Sequence, residues 1–250
     1  MSAASTGESR GLRVCALYPD LMNIYADRGN LLMLERRCRW RGIDFQLQSS
    51  GLGDSLDAEA HDLFYLGGGQ DRDQRLCAAD LLATKRDALQ QAAARGAVVL
   101  GICGGYQLLG HSYTLGRQRI EGVGLLDLHT VRSDEQRLIG NVAIELQLGA
   151  SRRVLAGFEN HGGRTSLAAE QAPLGRVLRG HGNDGRSGFE GARSGNTIGT
   201  YLHGPLLPKN SWFADWLIAQ ALGIDETRLT PLDDELELQA HTSALHVAGL

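Results

Sequence analysis

The chain has 250 residues, of which 42% are apolar and 22% charged, and its formal net charge is −4. This composition is typical of an ordinary globular protein, and so mild a negative charge gives no reason to expect a nucleic-acid partner. No apolar run reaches the length of a membrane span and the N-terminus lacks the apolar core of a signal peptide, so membrane insertion is not expected. Four cysteines without metal-ligand spacing indicate a reducing, cytoplasmic compartment rather than a disulfide framework or a metal site.

The first half of the chain alternates strands with helices. After a predicted disordered lead-in over residues 1–11, the pattern predicts a strand over 12–18 and a helix over 31–41, strands over 43–47 and 62–66, a helix over 78–95 and a strand over 97–102. Strands that alternate with helices of ten or more residues imply right-handed crossovers, and so we expect a mostly parallel sheet flanked by helices.

The pattern changes after Ile120. Short strands are predicted over 123–130, 138–148, 154–158, 177–178, 187–189 and 197–202, with a hairpin turn at 183–185. We expect them to add antiparallel strands to the edge of the parallel sheet. Two helices follow, one from Pro208 to a closing Gly223 and one over 233–247. No linker or repeat divides residues 12–250, which predicts a single domain.

The stretch GICGGYQ at residues 101–107 follows directly on a predicted strand. Small residues around a single larger one, between a strand and a helix, are typical of a nucleophile elbow, in which a strained backbone exposes the apex side chain. The apex residue is Cys103. Its position at the first turn of a helix favours the thiolate, and we interpret Cys103 as a nucleophile rather than an inert buried cysteine.

A cysteine that attacks an amide also needs an oxyanion hole. The backbone N–H of Gly104 follows the nucleophile, and a second donor could come from the glycine run GGGQD at 67–71, with Gly69 as the candidate. That run lacks the Lys-Ser/Thr of a phosphate loop, and no Walker-type sequence occurs, so ATP is not expected to bind this chain by that route.

Two of the eight histidines lie where a predicted strand meets a glycine loop, His161 and His203. Parallel α/β folds place their chemistry at such positions, and the residues alone leave the two nearly even as the catalytic base. Gln107 lies one helical turn beyond Cys103, where it could contact substrate or serve as an ordinary hydrogen-bonded buried amide.

Together, the glycine run, the elbow and the segment GTYLHG at 199–204 resemble the class I glutamine amidotransferases, in the branch similar to cobyric acid synthase. The resemblance implies a flavodoxin-like α/β fold and the histidine role for His203. It also implies the reaction, in which the Cys103 thiolate attacks the side-chain amide of L-glutamine, ammonia leaves, and water releases glutamate from the thioester.

The segment LYPDLMNIYADRGN at 17–30 is similar to the opening signature of the glutaminase subunits of lipid II isoglutaminyl synthases. That resemblance implies a heterodimer with a Mur-ligase-like partner, which would use ATP and Mg²⁺ and amidate the D-glutamate of the lipid II stem peptide. This chain itself would carry no cofactor and no metal, and the partner would handle lipid II. In the same subfamily an arginine placed like Arg137 grips the substrate glutamine, as suits an α-carboxylate.

One position departs from the family pattern. Most class I amidotransferases carry a glutamate two residues after the histidine to orient its ring, and here that position is Pro205. Either Glu159 substitutes for it or the partner subunit supplies a carboxylate. The role of residues 20–30 stays open between lining the site and capping the first helix.

Three other functions remain as alternatives. The first is an amidotransferase for a cobalamin-type precursor, and the second is a catalytically silent interaction module of the same fold. The third is a cysteine hydrolase or stress protein on a related flavodoxin-like fold, which explains the elbow but not the glycine run or the segment around His203.

Overall fold

The computed structural model describes residues 11–24 and 28–250, and the predicted lead-in lies outside this part except for Gly11. The described strands are β1 (Leu12–Leu17), β2 (Phe45–Ser50), β3 (Leu63–Leu66), β4 (Val98–Ile102), β5 (Ser112–Leu115), β6 (Gln118–Glu121), β7 (Leu128–Arg132), β8 (Leu138–Leu148), β9 (Ser151–His161), β10 (Gly163–Leu167), β11 (Gly175–Arg179), β12 (Phe189–Glu190), β13 (Ala192–Ser194) and β14 (Thr197–Thr200). The described α-helices are α1 (Arg28–Trp40), α2 (Asp71–Asp80), α3 (Arg86–Ala94), α4 (Gly104–Leu109), α5 (Ser211–Leu222) and α6 (Glu235–Ala248).

A six-stranded sheet forms the centre of the fold, in the order β13-β14-β4-β3-β1-β2. Its strands pair in parallel except for the antiparallel edge strand β13. The residues of β3 and β4 are fully buried, as expected for apolar strands covered on both faces. This confirms the predicted parallel α/β sheet, and it places the carboxyl ends of β3, β4 and β14 side by side.

The second half of the chain differs from the expectation. Only β13 adds an antiparallel strand to the edge of the central sheet. The other strands form two separate four-stranded sheets, β10-β7-β5-β6 and β12-β11-β8-β9. The strands β8 and β9 are eleven residues each and pair along their whole length, and β8 pairs with β11 on its other edge, so neither strand joins the central sheet.

The helix predicted over 78–95 begins earlier and is interrupted. It starts at Asp71, the last residue of the glycine run, and a π-helical turn over Leu81–Lys85 separates α2 from α3. The Lys85 ammonium is buried there and donates to Asp80 at 2.5 Å, and Asp80 also accepts from the Tyr18 hydroxyl at 2.7 Å. The extra residue of the π turn therefore brings a buried cation towards the end of β1.

The helices near the C-terminus are tied to α1 by buried charges. Arg37 is fully buried and donates to both carboxylate oxygens of Asp215 on α5 and, at 2.6 and 2.8 Å, to Asp234 just before α6. Gly223 ends α5 in the left-handed conformation, as predicted. The helix α6 itself has no buried side chain. Within the described ranges, no helix is both long and apolar enough to cross a bilayer.

Candidate active site

Cys103 occupies a strained turn between β4 and α4. Its backbone has φ 51° and ψ −103°, a conformation that non-glycine residues rarely adopt. Its amide donates to the Thr200 carbonyl at 2.8 Å, which fixes the turn to the end of β14. A Cβ on Gly105 would overlap the carbonyl oxygen of Leu66, so the elbow can pass this close to β3 only with glycine there. The predicted nucleophile elbow is therefore present in the structure.

The glycine run lies against the first turn of α4. The Gly105 amide donates to the Gly67 carbonyl at 3.1 Å, and a Cβ built on Gly104 would lie 3.1 Å from the Gly69 amide nitrogen. The two amides predicted to form the oxyanion hole, those of Gly69 and Gly104, are thus neighbours at the elbow.

The segment from Tyr18 to Ile24 supports the glycine run from behind. The thioether of Met22 fills the space where side chains on Gly69 and Gly104 would lie, and the Ile24 amide donates to the Gly68 carbonyl at 3.1 Å. Residues 25–27 of the predicted signature lie outside the described residues. The described part of the signature therefore packs against the candidate oxyanion hole.

His203 follows β14, the strand that pairs with β4 on the side away from β3. It is fully buried, and its backbone exchanges two hydrogen bonds with Phe158 on β9, of 2.8 and 3.1 Å. Thr200, the last residue of β14, pairs with Ile102, the last residue of β4. Cys103 is one residue beyond the end of β4, and His203 is three residues beyond the end of β14. The predicted pair therefore lies on the ends of adjacent strands.

His161 lines the same cavity as Cys103, but its ring is engaged by the protein. Its Nδ1 lies 2.9 Å from the Gly163 carbonyl oxygen and its Nε2 lies 3.8 Å from the Glu159 carboxylate. The ring stacks on Tyr201 with 3.6 Å between centroids. Of the two ring nitrogens of His161, only Nδ1 is within hydrogen-bond distance of a described protein group, so the structure leaves the choice of His203 as the base to the family resemblance.

Gln107 belongs to a buried chain of hydrogen bonds beneath the cavity. Its Oε1 accepts from Gln74 at 2.8 Å and its Nε2 donates to the Tyr201 hydroxyl at 3.1 Å. The Tyr201 hydroxyl is hydrogen-bonded to the Thr165 hydroxyl at 2.6 Å, and the Thr165 hydroxyl is hydrogen-bonded to the Thr130 hydroxyl at 2.8 Å. Burial raises the pKa of Tyr201 well above its ordinary value, so this hydroxyl stays protonated. Because both ends of the Gln107 amide are hydrogen-bonded to the protein, the structure favours a structural role for Gln107. A contact between Gln107 and the substrate stays a prediction.

The cavity at Cys103 has a volume of about 260 Å³ and a charged rim. Arg137 lies on this rim and donates to the side-chain and backbone oxygens of Asn160, both at 2.8 Å. Arg132 also lines the cavity and forms an ion pair of 2.9 Å with Asp71. The volume and the polar lining suit a small amino acid. The structure therefore places Arg137 in the same cavity as Cys103, and its role in binding glutamine stays a prediction.

The position where the family carries its third catalytic residue is occupied by a proline ring. The Pro205 ring packs directly against Gly29 at the start of α1. Glu159, the candidate substitute, is fully buried and accepts from the amides of His181 and Gly182 at 2.6 and 2.9 Å, with His161 beside it. These contacts hold the Glu159 carboxylate against the backbone of residues 181 and 182, and its role as the partner of His203 stays a prediction.

A second buried carboxyl group holds the strand that leads to His203. Glu190 accepts from the Thr200 hydroxyl at 2.9 Å and from the Tyr201 amide at 2.6 Å. Burial raises the pKa of Glu190 to about 8, although these hydrogen bonds act in the opposite direction.

Sequence reasoning assigned no role in the site to Met22 behind the glycine run, or to the cavity-wall residues Asp71, Gln74, Tyr113, Arg132 and Asn160. Asp71 is the last residue of the run GGGQD, and this position is the signal that could have identified it. Tyr113 and Arg132 come from β5 and β7 of the second sheet, and no motif marks them.

Comparison with known proteins identifies the family. Residues 13–211 match the CobB/CobQ-like glutamine amidotransferase domain. The chain is 39% identical to the lipid II isoglutaminyl synthase (glutamine-hydrolyzing) subunit GatD of Streptococcus pneumoniae, over 84% of this chain and 80% of that protein. It is 38% identical to the subunit of the same name from Staphylococcus aureus, over 88% and 89% of the two chains. A cobyric acid synthase from Xanthobacter autotrophicus is also 38% identical, but over only 50% of this chain and 27% of that protein.

Two solved structures share the fold. PurLQS from Thermotoga maritima superposes with a TM-score of 0.56 at 18% identity, covering 94% of this chain and 99% of that chain. The glutaminase domain of Trypanosoma brucei CTPS superposes with a TM-score of 0.51 at 11% identity, covering 86% and 95%. The fold class expected from the sequence is thereby confirmed, and the chain belongs to the CobB/CobQ-like glutamine amidotransferase family.

Proposed function

We propose that this chain is the glutaminase subunit of a lipid II isoglutaminyl synthase. The observation that carries the proposal is the strained Cys103 elbow, which opens on a cavity with the Gly69 and Gly104 amides beside it and Arg137 at its rim. Relatives of that name at 38–39% identity, aligned over most of both chains, support the same function.

The proposed reaction begins when His203 takes the thiol proton of Cys103 and the resulting thiolate attacks the side-chain amide carbon of L-glutamine. The amides of Gly69 and Gly104 stabilise the oxyanion of the tetrahedral intermediate, and His203 protonates the departing nitrogen. Ammonia leaves and a thioester remains on Cys103. His203 then takes a proton from water, whose attack releases glutamate and restores the thiol.

The ammonia would pass to a Mur-ligase-like partner that uses ATP and Mg²⁺ and amidates the D-glutamate of the lipid II stem peptide. From the family resemblance we infer that the partner also supplies an acidic residue to the site, because Pro205 stands two residues after His203, where most class I amidotransferases carry a glutamate. The isolated chain is therefore expected to hydrolyse glutamine weakly.

The decisive experiment co-expresses this chain with the Mur-ligase-like subunit of its host and supplies lipid II, ATP, Mg²⁺ and glutamine. We expect amidated lipid II by mass spectrometry with both chains, and no product with Cys103→Ser. Full glutaminase activity of the isolated chain would contradict the role of the partner. Amidation of a cobalamin precursor in place of lipid II would indicate the alternative substrate.

A catalytically silent module is distinguished by a simpler measurement. A glutamine-analogue diazo-ketone alkylates a functional amidotransferase thiol, and we expect one adduct on Cys103 that excess L-glutamine prevents. An unlabelled Cys103 in the complex would favour the silent module.

A further inference from the structure

The cavity beside Cys103 contains a carboxylate that the proposed mechanism does not use. Asp71 is the first residue of α2 and the last residue of the glycine run GGGQD. Its side chain is 39% exposed, and it is the only carboxylate among the described residues that line the cavity.

Two donors hold this carboxylate in place without occupying all of its acceptor positions. The Tyr113 hydroxyl donates to Oδ1 at 3.2 Å and Arg132 donates to Oδ2 at 2.9 Å. A carboxylate offers about four acceptor positions, so about two remain for a ligand. Asp71 is thus oriented from β5 and β7 and still able to accept hydrogen bonds inside the cavity.

The two arginines of the cavity differ in how their charge is balanced. Arg132 is paired with Asp71, whereas Arg137 is held by the neutral Asn160, and no described carboxylate lies within ion-pairing distance of it. An anionic group is therefore best placed at Arg137. A ligand with a carboxylate and an ammonium on one carbon would meet a cation at Arg137 and an anion at Asp71.

We propose that Asp71 binds the α-ammonium group of the substrate glutamine, with Arg132 and Tyr113 as its positioning residues. The inference rests on the proposed glutaminase function and adds a specificity-determining residue to it. Asp71 selects a free amino acid over an amide-bearing acid that lacks the ammonium. Asp71 does not take part in bond making at Cys103.

The test compares two ligands that differ only in that group: L-glutamine and glutaramate, which is glutamine without its α-ammonium. Each is used to protect Cys103 from alkylation by the glutamine-analogue diazo-ketone in the complex with the Mur-ligase-like partner, and the adduct on this chain is quantified by mass spectrometry. A charged hydrogen bond in a partly enclosed site predicts that glutamine protects at about tenfold lower concentration than glutaramate, or better.

Asp71→Asn removes the charge and keeps a side chain of the same shape. In this variant we expect the protecting concentrations of glutamine and glutaramate to lie within about threefold of each other, chiefly because glutamine binds more weakly. We expect Asp71→Glu to restore part of the preference for glutamine. Asp73→Asn is the matched control, because Asp73 lies in the same first turn of α2 but does not line the cavity. It should leave the preference unchanged.

Three results would overturn the inference. Equal protection of the unmodified chain by both ligands would contradict it without any variant. A preference that survives Asp71→Asn would assign the ammonium to other groups, and a parallel loss of both ligands would show that Asp71 only supports the cavity wall. A Cys103 that the diazo-ketone never labels would instead contradict the proposed function.

Discussion

The imidazole of His161 stacks on the phenol ring of Tyr201, with 3.6 Å between centroids and 3° between the planes. The Tyr201 hydroxyl accepts a hydrogen bond from Gln107 and is also hydrogen-bonded to Thr165. The stack therefore connects His161 in the cavity wall to the buried hydrogen bonds of Gln107. His161 therefore lies in the cavity wall, and we predict a structural role for it, although the residues alone left it nearly even with His203.

Exchanging the two histidines separately tests this assignment. His161→Phe retains a ring for the stack, and we expect glutamine hydrolysis to fall by less than about tenfold. His203→Gln removes the general acid and base, and we expect a loss of about a hundredfold or more. Rates are measured as glutamate release by the complex, with thermal melts as a control for folding. Equal losses would contradict the assignment.

Alkylation should distinguish Cys103 from the other three cysteines. Cys15, Cys38 and Cys77 are almost fully buried, and burial raises the pKa of each thiol to about 12. Their thiolates are scarce near neutral pH, and so iodoacetamide should modify only Cys103 in the folded chain. Peptide mass spectrometry reads the site, and the unfolded chain in denaturant should show four modified cysteines. Early modification of Cys15 or Cys38 in the folded state would be inconsistent with this structure.

Met22 should affect the rate more than the affinity. Met22→Ala leaves a gap behind the Gly69 and Gly104 amides, and a looser oxyanion hole lowers transition-state stabilisation. We expect kcat to fall roughly tenfold with little change in KM, and stability to fall by about 2–5 kcal/mol. Met22→Leu, of similar volume, should retain most of the activity. An increase in KM with unchanged kcat would indicate that Met22 contacts substrate instead.

Glu190 should make stability depend on pH. Its ordinary pKa of 4.5 applies when the chain is unfolded, and burial raises it to about 8 in the fold, so between these values the folded state holds a proton that the unfolded state releases. Wild-type stability should therefore decline relative to Glu190→Gln as pH rises from about 4.5 to about 8, by up to roughly 1.4 kcal/mol per pH unit. Urea unfolding of both proteins across this range measures the difference. Parallel stability curves would contradict the raised pKa.

The sequence predicted the central sheet and the elbow because their signals are local. The apolar runs of β3 and β4 and the glycines around Cys103 each constrain a few consecutive residues, and a short window contains the information. The start of α2 was missed because Asp71 and its neighbours are polar and carry no apolar periodicity. The π-helical turn was missed for a related reason, since one additional residue hardly disturbs a helical pattern.

The remainder of the site depends on long-range pairing that no local pattern specifies. Strands of the second half were expected at the edge of the central sheet, yet β5, β7 and β10 form a sheet of their own. That sheet brings Tyr113 and Arg132 to Asp71, across separations of 42 and 61 residues. The amides that donate to Glu159 come from residues 22 and 23 positions further along the chain, and no local pattern marked these contacts.

The buried Arg37 sets a limit on how the chain can be shortened for experiments. The helix α6 looks dispensable because none of its side chains is buried, but Asp234 immediately before it shares the Arg37 guanidinium with Asp215. A truncation that removes residues 234–250 would strip one carboxylate from a cation with no exposure to water, whereas a cut after Asp234 would spare it. Affinity tags are better placed beyond Leu250, which is exposed, than substituted for the tail.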